Sequence, residues 1–219
     1  MNKLNIGEFS KMNREIYIVG AGTYGEAMCE LAEILGYTIK GFYDEDEGKH
    51  RLSIMDYPVF GKFSDLDEKI ISENKYIVAI GNNAIRYKIM TKINNLGGIT
   101  PTLIHPTAII GASSVYRQGL IMAPYSMMTE NVKIGEFNTI NSYSSYGHDA
   151  IAEDGCTLSS HCDVTGFVHL EEGVFVGSSV SIIPGVRIGK YSRIGLGSVV
   201  IKNVPENVTV FGNPAKIIA

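Results

Sequence analysis

The sequence predicts an α/β unit followed by a parallel β-helix, and two patterns carry that prediction. From Ile104 to Val200 every sixth residue is apolar or aromatic, without a slip in register, and most are Ile, Leu or Val. Ahead of this run, Glu15-Ile16-Tyr17-Ile18-Val19 leads into Gly20-Ala21-Gly22-Thr23-Tyr24-Gly25 and then into a segment of helical spacing. That is the strand, glycine turn and helix of a nucleotide-binding βαβ unit. With apolar residues at 45 % of the chain, chance gives the period-six run at roughly 10⁻⁵. The period is therefore a fold signal and not a by-product of composition.

Residues 1–13 read as a tail, with Met12 a second plausible start. The first strand ends at the glycine turn, and a helix follows from Glu26 to Leu35, with Ala27, Leu31 and Leu35 on one face and Gly36 as its stop. Tyr37 to Tyr43 is the second strand, ending in Asp44-Glu45-Asp46. After Val59-Phe60-Gly61 and a helix near Asp65–Ile71, Lys75 to Ile80 forms a third strand. Gly81-Asn82-Asn83 opens a helix from about Ala84 to Asn95, which Gly97-Gly98 breaks. Ile99 to Ile104 runs into the repeats without a linker. This places a nucleotide-binding domain at 14–101 and a β-helix domain at 102–219. The first is half the size of a full dinucleotide domain, which suits one nucleotide better than NAD.

A period of six matches neither a helix nor a hairpin array. It is the spacing of a β-helix, in which each repeat is one short strand and a corner. The branched aliphatic points inward. A mostly small residue four positions later, such as Ser114, Ser126, Ser144, Cys156, Cys162 or Ser192, fills the space near the corner. Three sides close a coil of about eighteen residues, and five to six coils stack as parallel ladders.

The formal net charge is −4 and there is no basic run, which argues against a nucleic-acid partner. No apolar segment is long enough to span a membrane, and the first residues lack a signal-peptide core, so a cytoplasmic protein is expected. The three cysteines suit a reducing compartment, and no Cys/His spacing suggests a metal.

The motifs Ile134-Gly135-Glu136, Val176-Gly177-Ser178, Ile188-Gly189-Lys190, Ile194-Gly195-Leu196-Gly197 and the closing Val210-Phe211-Gly212-Asn213-Pro214-Ala215-Lys216 resemble those of the hexapeptide-repeat acyltransferases. Together with Gly41-Phe42-Tyr43-Asp44, Ala79-Ile80-Gly81-Asn82-Asn83-Ala84-Ile85-Arg86, Ile104-His105-Pro106 and Gly147-His148-Asp149, they resemble one branch of that family. It holds the sialic acid O-acetyltransferase-like enzymes and the nucleotide-sugar N-acetyltransferases of the bacillosamine and perosamine type. The resemblance covers nearly the whole chain from Glu15. It implies a Rossmann-like half domain followed by a left-handed parallel β-helix, assembled as a homotrimer. It also implies an acetyl-CoA-dependent N-acetyltransferase acting on a nucleotide-linked amino sugar, a 4-amino-deoxy sugar, in surface polysaccharide or glycan biosynthesis. By the same resemblance His148 is the general base with Asp149 beside it. Gly22, Thr23, Tyr24, Asp44, Glu45 and Gly81 hold the nucleotide sugar, and Thr157, Gly166, Ser178, Leu196 and Lys216 line the acetyl-CoA groove. Relatives often carry His where Tyr24 stands and a second His where Thr157 stands.

The chemistry asks for such residues. Acyl transfer from a thioester needs a deprotonated nucleophile, and histidine is the side chain that titrates near neutrality. A neighbouring carboxylate strengthens it as a base. Adjacent strand residues face opposite ways, so Asp149 reaches His148 only where the chain bends. His161 and His169 read as surface or interface residues, His105 as shaping the entry to the first coil, and His50 as a loop residue. Outward apolar residues such as Phe167 and Phe175 call for lateral cover by another subunit. O-acetylation of a sialic acid-like sugar is the close alternative, with Gly81-Asn82-Asn83-Ala84-Ile85-Arg86 leaning toward the nucleotide-sugar enzymes. The short first domain argues against an NAD-dependent oxidoreductase, and His148-Asp149 with the closing motif argues against a non-catalytic nucleotide-binding trimer.

Overall fold

The computed structural model describes residues 14–219; the expected tail at 1–13 lies outside the described residues. The α/β unit opens with β1 (Glu15–Val19), α1 (Thr23–Ile34) and β2 (Thr38–Tyr43). A small hairpin of β3 (Ser53–Ile54) and β4 (Tyr57–Pro58), α2 (Glu68–Ser72), β5 (Tyr76–Val78) and α3 (Asn83–Asn95) follow. The three long strands form one parallel sheet in the order β2-β1-β5. Helix α1 begins three residues before the sequence reading placed it, directly on Gly22. Its buried face is accordingly Gly25, Met28, Cys29, Leu31 and Ala32, and Ala27 turns to solvent.

The solenoid begins at Leu103–Ile104 and has three parallel faces. The first face runs from Leu103–Ile104 through Thr139–Ile140, Thr157–Leu158 and Phe175–Val176 to Thr209–Phe211. The second runs from Ile109–Ile110 to Val199–Val200, and the third from Val115–Tyr116 to Arg187–Ile188. Each strand pairs with the one a full coil later, as Met127 does with Ser145 and Thr157 with Phe175.

The period-six residues fill the prism. From Met122 onward they are buried in one continuous column, including Ile140, Tyr146, Leu158, Val164, Val176 and Ile194. The start of the run differs: Ile104 and Ile110 are half-buried and Tyr116 is 43 % exposed. They belong to the open end of the prism, where no earlier coil lies beneath them. The small residues do more than fill space. Ser144 Oγ donates to Ser159 O at 2.5 Å, Cys156 Sγ to Glu171 O at 3.0 Å and Cys162 Sγ to Gly177 O at 3.0 Å, so this position ties each coil to the next. Burial pushes the Cys156 thiol up to about 12 and raises Cys162 as well, which leaves both as inert packing groups.

The α/β unit seals the first face. Leu103 and Ile121 join the cluster of Ile16, Ile18 and Phe42, and Phe137 joins that of Tyr76 and Met90. The Tyr87 ring lies over Gly155, where a Cβ would come within 3.0 Å of it. Asn83 Nδ2 donates to Gly173 O at 2.8 Å. Because the column is closed on every side, removing volume from it leaves a cavity. Leu158→Ala is expected to cost about 2–5 kcal/mol, read as a lower denaturant midpoint with an unchanged slope. A loss below about 1 kcal/mol would mean that the prism collapses around the gap.

Candidate active site

The glycine turn follows β1, and its glycines do different jobs. A Cβ at Gly20 would lie 2.5 Å from Ala79 O, and one at Gly25 would lie 2.1 Å from Gly20 O, so both are demanded by close packing. A Cβ at Gly22 or Gly81 would meet nothing within 4 Å. These two border the open crevice beyond the carboxyl ends of β1 and β5, where the strand order reverses. Gly22 caps α1 with extended backbone and no side-chain hydrogen bond, so the first-turn amides face outward with the positive helix end.

The acids behind the turn are already engaged. Asp44 accepts from Ala21 N at 2.7 Å and Lys49 Nζ at 3.0 Å through Oδ2, and from Asp46 N at 2.9 Å through Oδ1. Burial alone would raise its pKa, but the bonds from Asp46, Ala21 and Lys49 prevail and hold it below the ordinary carboxylate value. Its carboxylate thus braces the turn against the end of β2. Glu45 accepts from both Ser64 N at 3.0 Å and Ser64 Oγ at 2.7 Å. His50, silent in the sequence, places Nε2 2.8 Å from Asp44 O.

His148 stands on the edge between the second and third faces. The next residue, Asp149, adopts φ of 58°, a left-handed conformation that Asp tolerates better than most residues. The chain bends there, and Oδ2 of Asp149 comes within 2.9 Å of His148 Nδ1. Asn131 Nδ2, one coil earlier, donates to Asp149 Oδ1 at 3.2 Å. The hydrogen bond with His148 leads the influences that lower the Asp149 pKa, so the carboxylate stays ionised and accepts the hydrogen bond from Nδ1–H. Nε2 is then left as acceptor. The Phe167 ring meets the imidazole edge-to-face at 4.9 Å. Gly166 lies directly against the ring: a Cβ there would be 2.6 Å from Nε2.

Ser178 and Leu196 occupy equivalent corners of successive coils, between the first and second faces. They share a cleft of about 330 Å³ with Phe175, Arg193 and Thr209. Neither main-chain N–H donates to another group among the described residues, so both are available to a ligand. Ser159 and Phe175 also line a second cleft of about 220 Å³, with Tyr24, Gly81, Arg86, Asn141 and Thr157. The two clefts make one groove, leading from the crevice beside Gly81 down the first face. Phe175 is half-buried in its wall, with the Arg193 guanidinium 4.4 Å above the ring, and is not an uncovered surface residue. Phe167 is 59 % exposed. Lys216 is exposed on the last strand.

The expected acetyl-CoA residues therefore divide. Ser178 and Leu196 lie in the groove and Gly166 lies under His148 on another edge. Thr157 is buried with its hydroxyl held by Arg86. Sequence reasoning gives no site role to Arg86, Asn141, Ser159 or Phe175, which line these clefts. The signal for Arg86 was a cation in the first turn of a helix with no acid near it in sequence. His161 stacks on Tyr143 at 5.0 Å, and His169 places Nε2 2.9 Å from Glu153 Oε1. Among the described residues no cluster of three or more His, Cys, Asp or Glu could hold a metal ion, and no helix is long and apolar enough to cross a membrane.

Comparison with known proteins places this arrangement. Residues 15–93 match the PglD N-terminal domain family. Over 214 residues, 91 % of this chain and 94 % of the relative, the sequence is 33 % identical to GDP-perosamine N-acetyltransferase of Escherichia coli O157:H7. A mutant of perosamine N-acetyltransferase from Caulobacter crescentus, solved in complex with CoA and GDP-perosamine, superposes with a TM-score of 0.85 at 28 % identity, over 94 % of this chain and 97 % of that one. The acetyltransferase domain of PglB from Neisseria gonorrhoeae FA1090, solved with acetyl coenzyme A, gives 0.83 at 27 % identity, over 94 % and 100 %. The solenoid is thus a left-handed β-helix with a small α/β region before it. The chain belongs to the hexapeptide-repeat acyltransferases, in the branch of the nucleotide-sugar N-acetyltransferases.

The contact between Gly166 and the imidazole generates a test. Gly166→Ala has to push the ring off Nδ1–Asp149 geometry, and a displacement of about 1 Å at a reacting group costs on the order of 10²-fold. The variant should lose kcat to that extent with its melting temperature and both KM values little changed. Full kcat would show that the ring position is not critical.

Proposed function

We infer that the protein is an acetyl-CoA-dependent N-acetyltransferase whose acceptor is the amino group of a nucleotide-linked amino sugar, as the complexes of its structural neighbours suggest. The observation that carries the reading is the His148–Asp149 pair, with Nε2 left free to accept a proton. In the reaction the amine nitrogen attacks the thioester carbon. The C–N bond forms, the C–S bond breaks, one amine proton passes to His148 Nε2, and the imidazolium returns that proton to the departing thiolate, which leaves as a thiol with the base restored. The outward amides of α1, with Gly22, Thr23, Tyr24 and Gly81, would receive the nucleotide, and Asp44 and Glu45 would act by holding the turn in shape. Ser178 and Leu196 offer main-chain donors along the groove to acetyl-CoA, with Lys216 at its far end.

A homotrimer completes the site on this reading. Within one chain the base is on the edge between the second and third faces, while the groove follows the first face, on the opposite side of the prism. A neighbouring subunit would bring its His148 to this groove. The division of the chain into a nucleotide-sugar domain at 14–101 and an acetyltransferase domain at 102–219 belongs to the same proposal, as does a cytoplasmic location.

Removing a positioned base costs about 10²–10⁴-fold. His148→Ala should lower kcat by that order while acetyl-CoA binding persists in calorimetry, and a variant that kept most of its kcat at saturation would overturn the assignment. Gly22→Val changes a position with room for a side chain and should raise KM for the nucleotide sugar alone. Co-expressing the two variants tests the shared site. At a nucleotide-sugar concentration far below the raised KM, neither is active by itself, yet statistical mixing in a closed ring would restore about a quarter of the wild-type sites. No recovery, or a monomer in sedimentation equilibrium, would sink the trimer.

A further inference from the structure

Arg86 is 2 % exposed, yet no carboxylate pairs with it among the described residues. Its Nη1 donates to Ile80 O at 3.0 Å and its Nη2 to Thr157 Oγ1, and its other N–H groups find no acceptor in the described chain. It stands in the first turn of α3, where the helix dipole disfavours a cation. Burial pushes its pKa down, with Tyr24 working in the opposite direction. A buried guanidinium without a counter-ion, at the wrong end of a helix, is a cost that folding alone does not explain.

Its surroundings show what would repay it. Arg86 lines the cleft that contains Gly81 and Tyr24, and no carboxylate lines that cleft. The Tyr24 hydroxyl is enclosed and has no hydrogen-bond partner. The cleft opens at the switch point between β1 and β5, across from the first-turn amides of α1. Lys49, a cation behind the glycine turn, is held by Asp44. An anion entering here meets Arg86 as its cation and the Tyr24 hydroxyl as a further donor.

We propose that Arg86 is the specificity residue that binds the sugar-linked phosphate of the nucleotide sugar, with the Tyr24 hydroxyl beside it. Its present contacts with Ile80 O and Thr157 park the guanidinium until that phosphate arrives. This rests on the nucleotide-sugar reading and deepens it. The main-chain amides of α1 take the first phosphate, and Arg86 distinguishes a diphosphate from a monophosphate.

The test compares nucleoside diphosphates with monophosphates by calorimetry, using UDP/UMP, GDP/GMP, dTDP/dTMP and CDP/CMP on the ligand-free enzyme. Wild type should bind one diphosphate more tightly than its monophosphate. In Arg86→Gln that preference should shrink roughly 10- to 100-fold, the effect of a charged hydrogen bond, while monophosphate affinity stays within about threefold. Arg86→Lys keeps the charge without the planar fork and should fall between the two. It also serves where the Gln variant does not fold. Acetyl-CoA binding and the melting temperature check that each variant is intact. An unchanged diphosphate preference in either folded variant overturns the role of Arg86 and leaves the nucleotide reading in place. So does an equal loss for mono- and diphosphate, which marks a structural residue. A wild-type enzyme that binds none of the eight probes overturns the nucleotide reading and this proposal together.

Discussion

From its third corner onward the prism turns on one residue with left-handed backbone per corner, and the rest of the structure depends on how the chain meets that demand. From Gly119 to Gly197 a positive φ recurs every six residues. Glycine takes five of these places, at 119, 155, 173, 185 and 197. Elsewhere the chain accepts a cost of about 1–2 kcal/mol per residue and offsets it with contacts between coils. Tyr125, Tyr143 and His161 stack in a column at 5.2 and 5.0 Å, and such ring pairs contribute about 0.5–1.5 kcal/mol beyond burial. At 149 the left-handed residue is an aspartate, and the bend it makes turns its carboxylate back onto His148. The corner rule that closes these coils also pairs His148 with Asp149.

That rule explains what could be read from the sequence. The inward aliphatics repeat at the fold's own period, and the glycine turn, its strand and its helix are neighbours in the chain, so both units were legible. His148-Asp149 is legible as a motif, and the need for a bend between its members follows from the alternation of strand side chains. The contacts that join the coils are not. Cys162 bonds to Gly177 O, and Gly166 lies under His148. Such pairs are a coil apart. The coil length puts Ser178 and Leu196 on one edge and Gly166 on another, but which edge meets a neighbouring chain is set by packing between chains and not by a pattern along one.

Asp44 shows a different limit. An acid at the end of the second strand in a βαβ unit resembles a ribose ligand, but here three donors occupy its oxygens. Gly20 and Gly25 allow the backbone to close up, Asp44 ties Ala21 to the end of β2, and only Gly22 is left with open space. The turn is therefore held rigid from behind and presents main chain to the ligand. Recognition built this way favours the phosphate over the base, because amides and a helix end read charge and not the pattern of a heterocycle.

Helix α3 makes the two units one machine. Its cap, Asn82, accepts from Ile85 N at 3.1 Å and so starts the helix where Asn83 and Arg86 both point at the solenoid. Asn83 bonds to Gly173 O, Arg86 to Thr157, and Tyr87 covers Gly155, three anchors spread over neighbouring coils. A crevice at the end of β1 and β5 is thereby registered against the groove that passes Ser159 and Phe175. Registration matters because an amine and a thioester must meet within a near-attack distance, and most of the benefit of holding both substrates is lost if either wall can slide. The buried polar contacts of α3 carry little by way of net stability. They fix the offset between the crevice and the groove, which packing of smooth apolar surfaces alone would leave loose.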